Sequence, residues 1–347
     1  MFAVVAARPP LRAVVGKAQV VVEATPALLR CAAGVDVRVT STWQERDSII
    51  SVDARGVDVH SRQRTALTID TPGSATVRGK VEGDSIDIKG ATIAVDSVRG
   101  ETVRLMSDGG VASTKLVEGL EVDISGTQIA LAKLQASQAN IRGEDVSIVA
   151  AYCRKLDVEA SGASAVDAVS IDAAHGHVAA KATNGGVSLQ RCSGSCDIKA
   201  AGTVSLAFDA MNGDAIASSE KGDVDVSVAP SIACDVDLSG KAVDCEGAPM
   251  LRREVDEAEH VKGALEAIRE PSRAGAGKVN VDGASAQKWD SSFISDESGR
   301  PRIVARAPKG RVALRALSWI DAIRRKVGLP EGFEKVRRSS SSSSSSS

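Results

Sequence analysis

KGDVDVSV, at residues 221–228, is the stretch on which the fold class turns. A Gly-Asp corner is followed by strict alternation of apolar and polar residues. That is the period of a strand with one face buried and the other wet. Near-copies recur as GDSIDIKG (83–90), GLEVDISG (119–126), GEDVSIVA (143–150) and NGGVSLQ (184–190). Between them lie further alternating runs, among them TALTID (65–70), ATIAVDSV (91–98) and TVSLAFD (203–209). Gly and Asn punctuate the runs as corners do. Gly119 to Gly143 and Gly162 to Gly186 are each 24 positions apart, which suggests a loose repeat of that length. Repeats of this size belong to solenoids. One coil cannot bury its own apolar face, but stacked coils share a continuous core and pair every backbone group with the coils above and below. The expectation is an all-β chain folded as a parallel β-helix or β-solenoid.

Composition agrees. The chain has 347 residues, 43% apolar and 25% charged, which is enough apolar residue for a sizeable core. It has only eight aromatic residues, and Tyr152 and Phe208 alone fall between residues 56 and 250. A core built there from Val, Ile, Leu and Ala suits a narrow tube and not a β-sandwich with a large buried ring. A net charge of −2 gives no reason to expect nucleic acid. No apolar run approaches the roughly 20 residues a helix needs to cross a bilayer.

Basic Arg8, Arg12 and Lys17 precede the first acid, Glu23, a charge pattern resembling an organelle transit peptide over 1–17, but serine is missing until Ser41. Arg8, Pro9, Pro10 and Arg12 interrupt any secretory apolar region. The favoured reading is a basic segment leading into the first strand. An intracellular location is favoured, mitochondrial or plastid should the segment be a transit peptide. The six cysteines then read as small core residues and not as a disulfide framework.

The solenoid is expected over 18–250. AQVVVEA (18–24) and VDVRVTSTW (35–43) read as N-terminal cap strands. Residues 251–277 are charged, then Gly/Ala-rich, and Val261, Leu265 and Ile268 form a weak helical stripe, so a helix-bearing insertion is expected. Over 278–330, IVARA (303–307) and RVALRAL (311–317) flank PKG and read as a hairpin. Ser318 and Asp321 open a short capping helix with Trp319, Ile323 and Val327 on one face. Trp289, Phe293, Trp319 and Phe333 would form an aromatic lid. Residues 331–347, ending in nine serines, read as a disordered tail.

The corners at TNGGVSLQ (183–190), MNGDAIAS (211–218), EKGDVDVSVAPS (220–231) and CDVDLSG (234–240) resemble the adhesin-like family of β-solenoid domains, whose function is unknown. The resemblance covers about 50–250 and extends to the strands near 278–282 and 303–317. It implies a right-handed parallel β-helix and carries no catalytic residues.

Four features bear on chemistry. His175 and His177 lie some fifteen residues before Cys192 and Cys196, and two His with two Cys form a zinc set if neighbouring coils bring them together. The favoured reading is an exposed His-Gly-His corner. Asp58, Asp87, Asp123, Asp157, Asp197, Asp225 and Asp237 recur in V-D-V settings. Clustered, they would hold Ca²⁺ or serve a carbohydrate-active β-helix enzyme. Spread outward, they keep a long β surface soluble. AGAGKVN (274–280) fails as a phosphate loop because Val279 stands where Ser or Thr is needed.

The fourth feature is the charge of residues 301–338. They carry eleven Lys and Arg against three acids, a net +8 that leaves −10 on the remainder. Arg324, Arg325, Lys326, Lys335, Arg337 and Arg338 would be the contact with a membrane surface or another anionic partner. The leading expectation is a non-enzymatic, adhesin-like scaffold for a protein or glycan ligand, with no cofactor. The alternative is the aspartate-based enzyme.

Overall fold

The computed structural model describes residues 73–162, 167–248, 251–267 and 300–316, together with short strands before residue 71. The early strands are β1 (Phe2–Val5), β2 (Leu11–Arg12), β3 (Ala18–Val22), β4 (Ala27–Arg30), β5 (Val37–Ser41), β6 (Ile49–Ala54) and β7 (Ala66–Asp70). Long strands follow: β8 (Ser74–Gly90), β9 (Thr92–Ser107), β10 (Gly110–Ser125), β11 (Gln128–Gly143), β12 (Asp145–Ala160), β13 (Asp167–Ala182), β14 (Gly186–Ala200) and β15 (Val204–Ser219). The last are β16 (Val224–Val228), β17 (Cys234–Gly247), β18 (Leu251–Asp256), β19 (His260–Leu265) and β20 (Arg302–Ala316). The described residues contain no helix and form a parallel β-solenoid of about nine turns. The expected C-terminal helix and aromatic lid lie outside them.

Each long strand runs along one wall, bends at a mid-strand corner and returns along a second wall. In β9 the inward residues are Ile93 and Val95 on the first wall, Val98 at the corner, and Val103 and Leu105 on the second, all 2% exposed or less. Stacking then builds straight core ladders. One runs Ala75, Ile93, Val111, Ile129, Val146, Val169, Val187 and Val204. Another runs Ile86, Val103, Val122, Ala139, Leu156, Val178 and Cys196. Successive rungs lie about 4.8 Å apart, so every inward side chain touches its counterparts above and below. β-branched residues pack this pleated surface well. A ring fits only where its neighbours are small. Phe208, the one aromatic in the described core, sits between Cys192 and Val228 in register.

The repeat is shorter than the glycine spacing suggested. Val111 lies 18 residues from both Ile93 and Ile129, and Val146 lies 17 beyond Ile129. Among the long strands only the step from Val146 to Val169 stretches to 23; the earlier strands are spaced more widely, as in the 25 residues from Ile50 to Ala75. Gly119 occupies the mid-strand corner, paired with Gly100 and Ala136, whereas Gly143 ends the second wall, paired with Ala160. The 24-residue interval joined unlike corners.

Three further expectations are corrected. β3 and β5 are rungs, not caps: they continue the parallel ladder β1–β3–β5–β7 into β8. The segment expected to carry a helix forms the antiparallel hairpin β18–β19, and β19 pairs antiparallel with β17. Val261 and Leu265 are buried there because positions i and i+4 also share one face of a strand. This hairpin caps the second wall. Ile268 and the rest of the expected insertion lie outside the described residues.

The third correction concerns β20. It is one rung that runs from the second wall to the first, and PKG (308–310) is the bend in its middle, stacked on Gly222 at the corner between turns. Its first half pairs parallel with 215–218 of β15 on one side and 235–240 of β17 on the other. Its second half pairs with 224–228 of β16 and with 242–247 of β17. The last described strand in sequence is therefore an interior rung in space, inserted between coils made far earlier in the chain.

Candidate functional site

Strand alternation decides which side chains face out. On the second wall, one outward ladder runs Asp87, Arg104, Asp123, Asn140, Asp157, Ala179, Asp197, Ile216, Val304 and Asp237. No two acids are adjacent in it. Like charges at rung spacing repel, and the sequence interposes a cation, an amide or an apolar residue. Asn140 Nδ2 donates to Asp123 Oδ1 at 2.9 Å, and Arg104 lies 3.7 Å from the other oxygen of Asp123. Lys155 pairs with Asp157 at 2.9 Å. Asp225 belongs to the first wall, between Ser205 and Ala313. Asp58 lies outside the described residues. The V-D-V aspartates are spread along the tube and do not cluster.

The mid-strand corner gathers a different set. Tyr152 and His175 are opposite one another on adjacent rungs, and their rings stack at 4.6 Å between centroids and 6° between planes. Lys133 Nζ, one rung earlier, lies 5.2 Å from the centroid of Tyr152, within cation–π range. On the far side come Arg191, whose Nε donates to the Asp172 carbonyl at 3.3 Å, and Asp209. Partial burial, and then the positive charge of Arg191, pushes the His175 imidazole pKa down. Burial pushes the Asp209 carboxyl up against the opposing pull of Arg191 and His175. The result is an offset column over five consecutive rungs bearing cation, phenol, imidazole, guanidinium and carboxylate, in which only Tyr152 and His175 are directly opposite one another and Gln135 and Ser193 hold the in-register positions on either side.

The expected zinc set is split by the wall. His175 is exposed and His177 half-buried, with His177 Nδ1 2.9 Å from Ser195 Oγ. Cys192 and Cys196 face inward at 0% and 1% exposure, in the core ladders of Ala174 and Val178. The cause is parity: His175 and His177 sit at outward positions, the two cysteines at inward ones. Burial pushes the Cys192 thiol up to about 12 and Cys196 well above its ordinary value. No group of three or more metal-ligating side chains occurs among the described residues.

The corner between successive turns carries an open groove of about 440 Å³. Its floor includes Gly126 and Gly143, and its charged lining comprises Asp108, Arg142, Glu144, Glu159 and Lys181. Hydroxyls fasten this corner: Ser107 Oγ donates to the Ala91 carbonyl at 2.7 Å and Thr183 Oγ1 to that of Ala160 at 3.3 Å. Arg142 and Glu159 pair at 3.4 Å in solvent.

The sequence reading did not anticipate the Tyr152 column or this groove. The rarity of aromatics was the available signal for the column. The basic set Arg324, Arg325, Lys326, Lys335, Arg337 and Arg338 lies outside the described residues. Compared with known proteins, the chain matches no family model, no curated protein and no solved structure.

Proposed function

We propose that this protein is a non-enzymatic, adhesin-like β-solenoid scaffold that binds a protein or glycan ligand along its mid-strand corner. The supporting observation is the stacked pair Tyr152–His175, flanked by Lys133 and Arg191. Outward aromatic and cationic side chains are the residue types that anchor recognition surfaces. Here they stand on rigid rungs and need little ordering on binding. The test is a glycan array and a protein-binding screen with wild type and with Tyr152→Ala/His175→Ala. Ligands lost by the variant, with unchanged circular dichroism, support the reading. Identical profiles sink it.

A second reading, a carbohydrate-active enzyme, is favoured by the groove, where Asp108, Glu144 and Glu159 share a lining with Arg142 and Lys181. The residues differ from the aspartates the sequence suggested. Release of new reducing ends from a polysaccharide, abolished by Glu144→Gln or Glu159→Gln, would establish it over the scaffold reading.

A further inference from the structure

The chain leaves a slot and fills it later. From β16 on the first wall it passes to β17 on the second, but β17 does not sit directly on β15. Between 215–218 and 235–240, and between 224–228 and 242–247, one rung is missing from the local sequence. Residues 302–316 supply it after an excursion of more than fifty residues. Inside, Ile303, Ala305, Ala307, Val312 and Leu314 are at most 1% exposed and continue the core ladders.

Outside, recognition is by charge. The rung carries Arg302, Arg306, Lys309, Arg311 and Arg315 and no acid. The walls of the slot are acidic. The Arg302 guanidinium donates to Asp237 Oδ2 at 2.6 Å, and its backbone N–H donates to Asp214 Oδ1 at 2.9 Å. The Arg311 guanidinium pairs with Asp244, and its backbone N–H donates to Asp223 Oδ1 at 2.8 Å. Arg315 lies 3.6 Å from Asp225. Five aspartates on both sides of the slot thus receive three arginines of one strand. Part of the +8 at the C-terminal end has its anionic partner within the fold.

None of these contacts depends on the covalent link between slot and rung. The part of that link beyond the capping hairpin, residues 268–299, is 32 residues long, a chain length of about 100 Å if fully extended. The slot meets the same ladder, apolar row and arginines whichever molecule supplies them. We propose that the slot is a recognition site for a basic β-strand, and that residues 302–316 of a second copy of this chain seat in it, exchanging rungs reciprocally in a domain-swapped dimer. The tethered copy dominates when dilute, because the link holds it at high effective concentration.

The test uses full-length chains with reversed charges. One carries Arg302→Asp and Arg311→Asp, the other Asp237→Arg and Asp244→Arg. Each alone has a mismatched slot, but together each rung matches the other chain's slot. Native mass spectrometry of the co-refolded pair should show a heterodimer at twice the monomer mass. A single chain carrying all four changes should fold as a monomer with a Tm above that of either two-site variant. If that four-site chain folds and the mixed pair yields no heterodimer, the exchange is overturned. If the four-site chain gains no Tm, charge recognition by the slot is overturned. Wild type refolded at high concentration from two differently tagged pools supplies a test free of substitutions: co-purification of both tags supports exchange, and its absence opposes it.

Discussion

Arg302 donates to Asp237 at 2.6 Å across 65 positions of sequence, and His260 approaches the other oxygen of the same carboxylate at 3.1 Å. One aspartate therefore ties the inserted rung to the capping hairpin. Burial pushes the Asp237 carboxyl up, but the hydrogen bond from His260 and the charge and hydrogen bond of Arg302 outweigh it and hold it below the usual range. A depressed carboxyl contributes stability that is present above the unfolded value, about 3.9, and is lost as pH falls through the folded value. Urea midpoints of wild type and Asp237→Asn should differ at pH 6 and converge near pH 2. A difference that persists at pH 2 would show that the carboxylate charge is not the cause.

Arg302→Ala should destabilise by only ~0.2–1 kcal/mol through the ion pair, because the guanidinium is half exposed. In a double-mutant cycle with Asp237→Ala the coupling should fall in that range. Ile303→Ala, by contrast, opens a void in a fully packed ladder and should cost about 2–5 kcal/mol. Denaturant titration of these variants ranks the apolar and ionic contributions of the rung.

Phe208→Ala should be among the most damaging core changes, at about 3–5 kcal/mol. The ring fills its rung between Cys192 and Val228, where neither neighbour can expand into the space. Phe208→Leu should cost less than half as much. Equal losses would mean that the core collapses around the site.

The thiols of Cys153, Cys192, Cys196 and Cys234 should resist alkylation at pH 8 in the native protein. Three are pushed up to about 12 by burial, and Cys196 goes well above its ordinary value. Pulse alkylation read by mass spectrometry should label them only after denaturant is added. Rapid native labelling would show that the tube opens locally.

Gly176→Ala should be poorly tolerated. Its φ is +101°, and an added Cβ would fall on the carbonyl oxygen of Cys153. The left-handed backbone alone costs an L-residue of order 1–3 kcal/mol. Thermal melts of Gly176→Ala and of Gly213→Ala, where the nearest atoms are those of the Ser195 side chain, should separate clearly.

The inward set was legible in the sequence because alternation is local: in VSL at 187–189 the two apolar residues face in whatever rung lies beside them. Register was not. Val224 meets Val312 across 88 positions, and every alternating strand in the chain offers the same pattern to every other. PKG read as a hairpin turn because a reversal and a solenoid corner ask for the same residues. Val261 and Leu265 read as a helix because a spacing of four satisfies both periods over so short a segment. The Tyr152 column was hidden for the same reason as register: its five members are 16 to 23 positions apart, and only stacking makes them neighbours.

The inserted rung also sets a timetable. A chain made from its N-terminus presents β17 and the β18–β19 hairpin before residues 302–316 exist, but β17 pairs with no rung of the tube except β20, so this end cannot be completed until that rung arrives. Folding of this end is a closing event and not a continuation of coil-by-coil growth. A truncation upstream of residue 302 would not shorten the tube by one turn; it would leave it permanently unclosed.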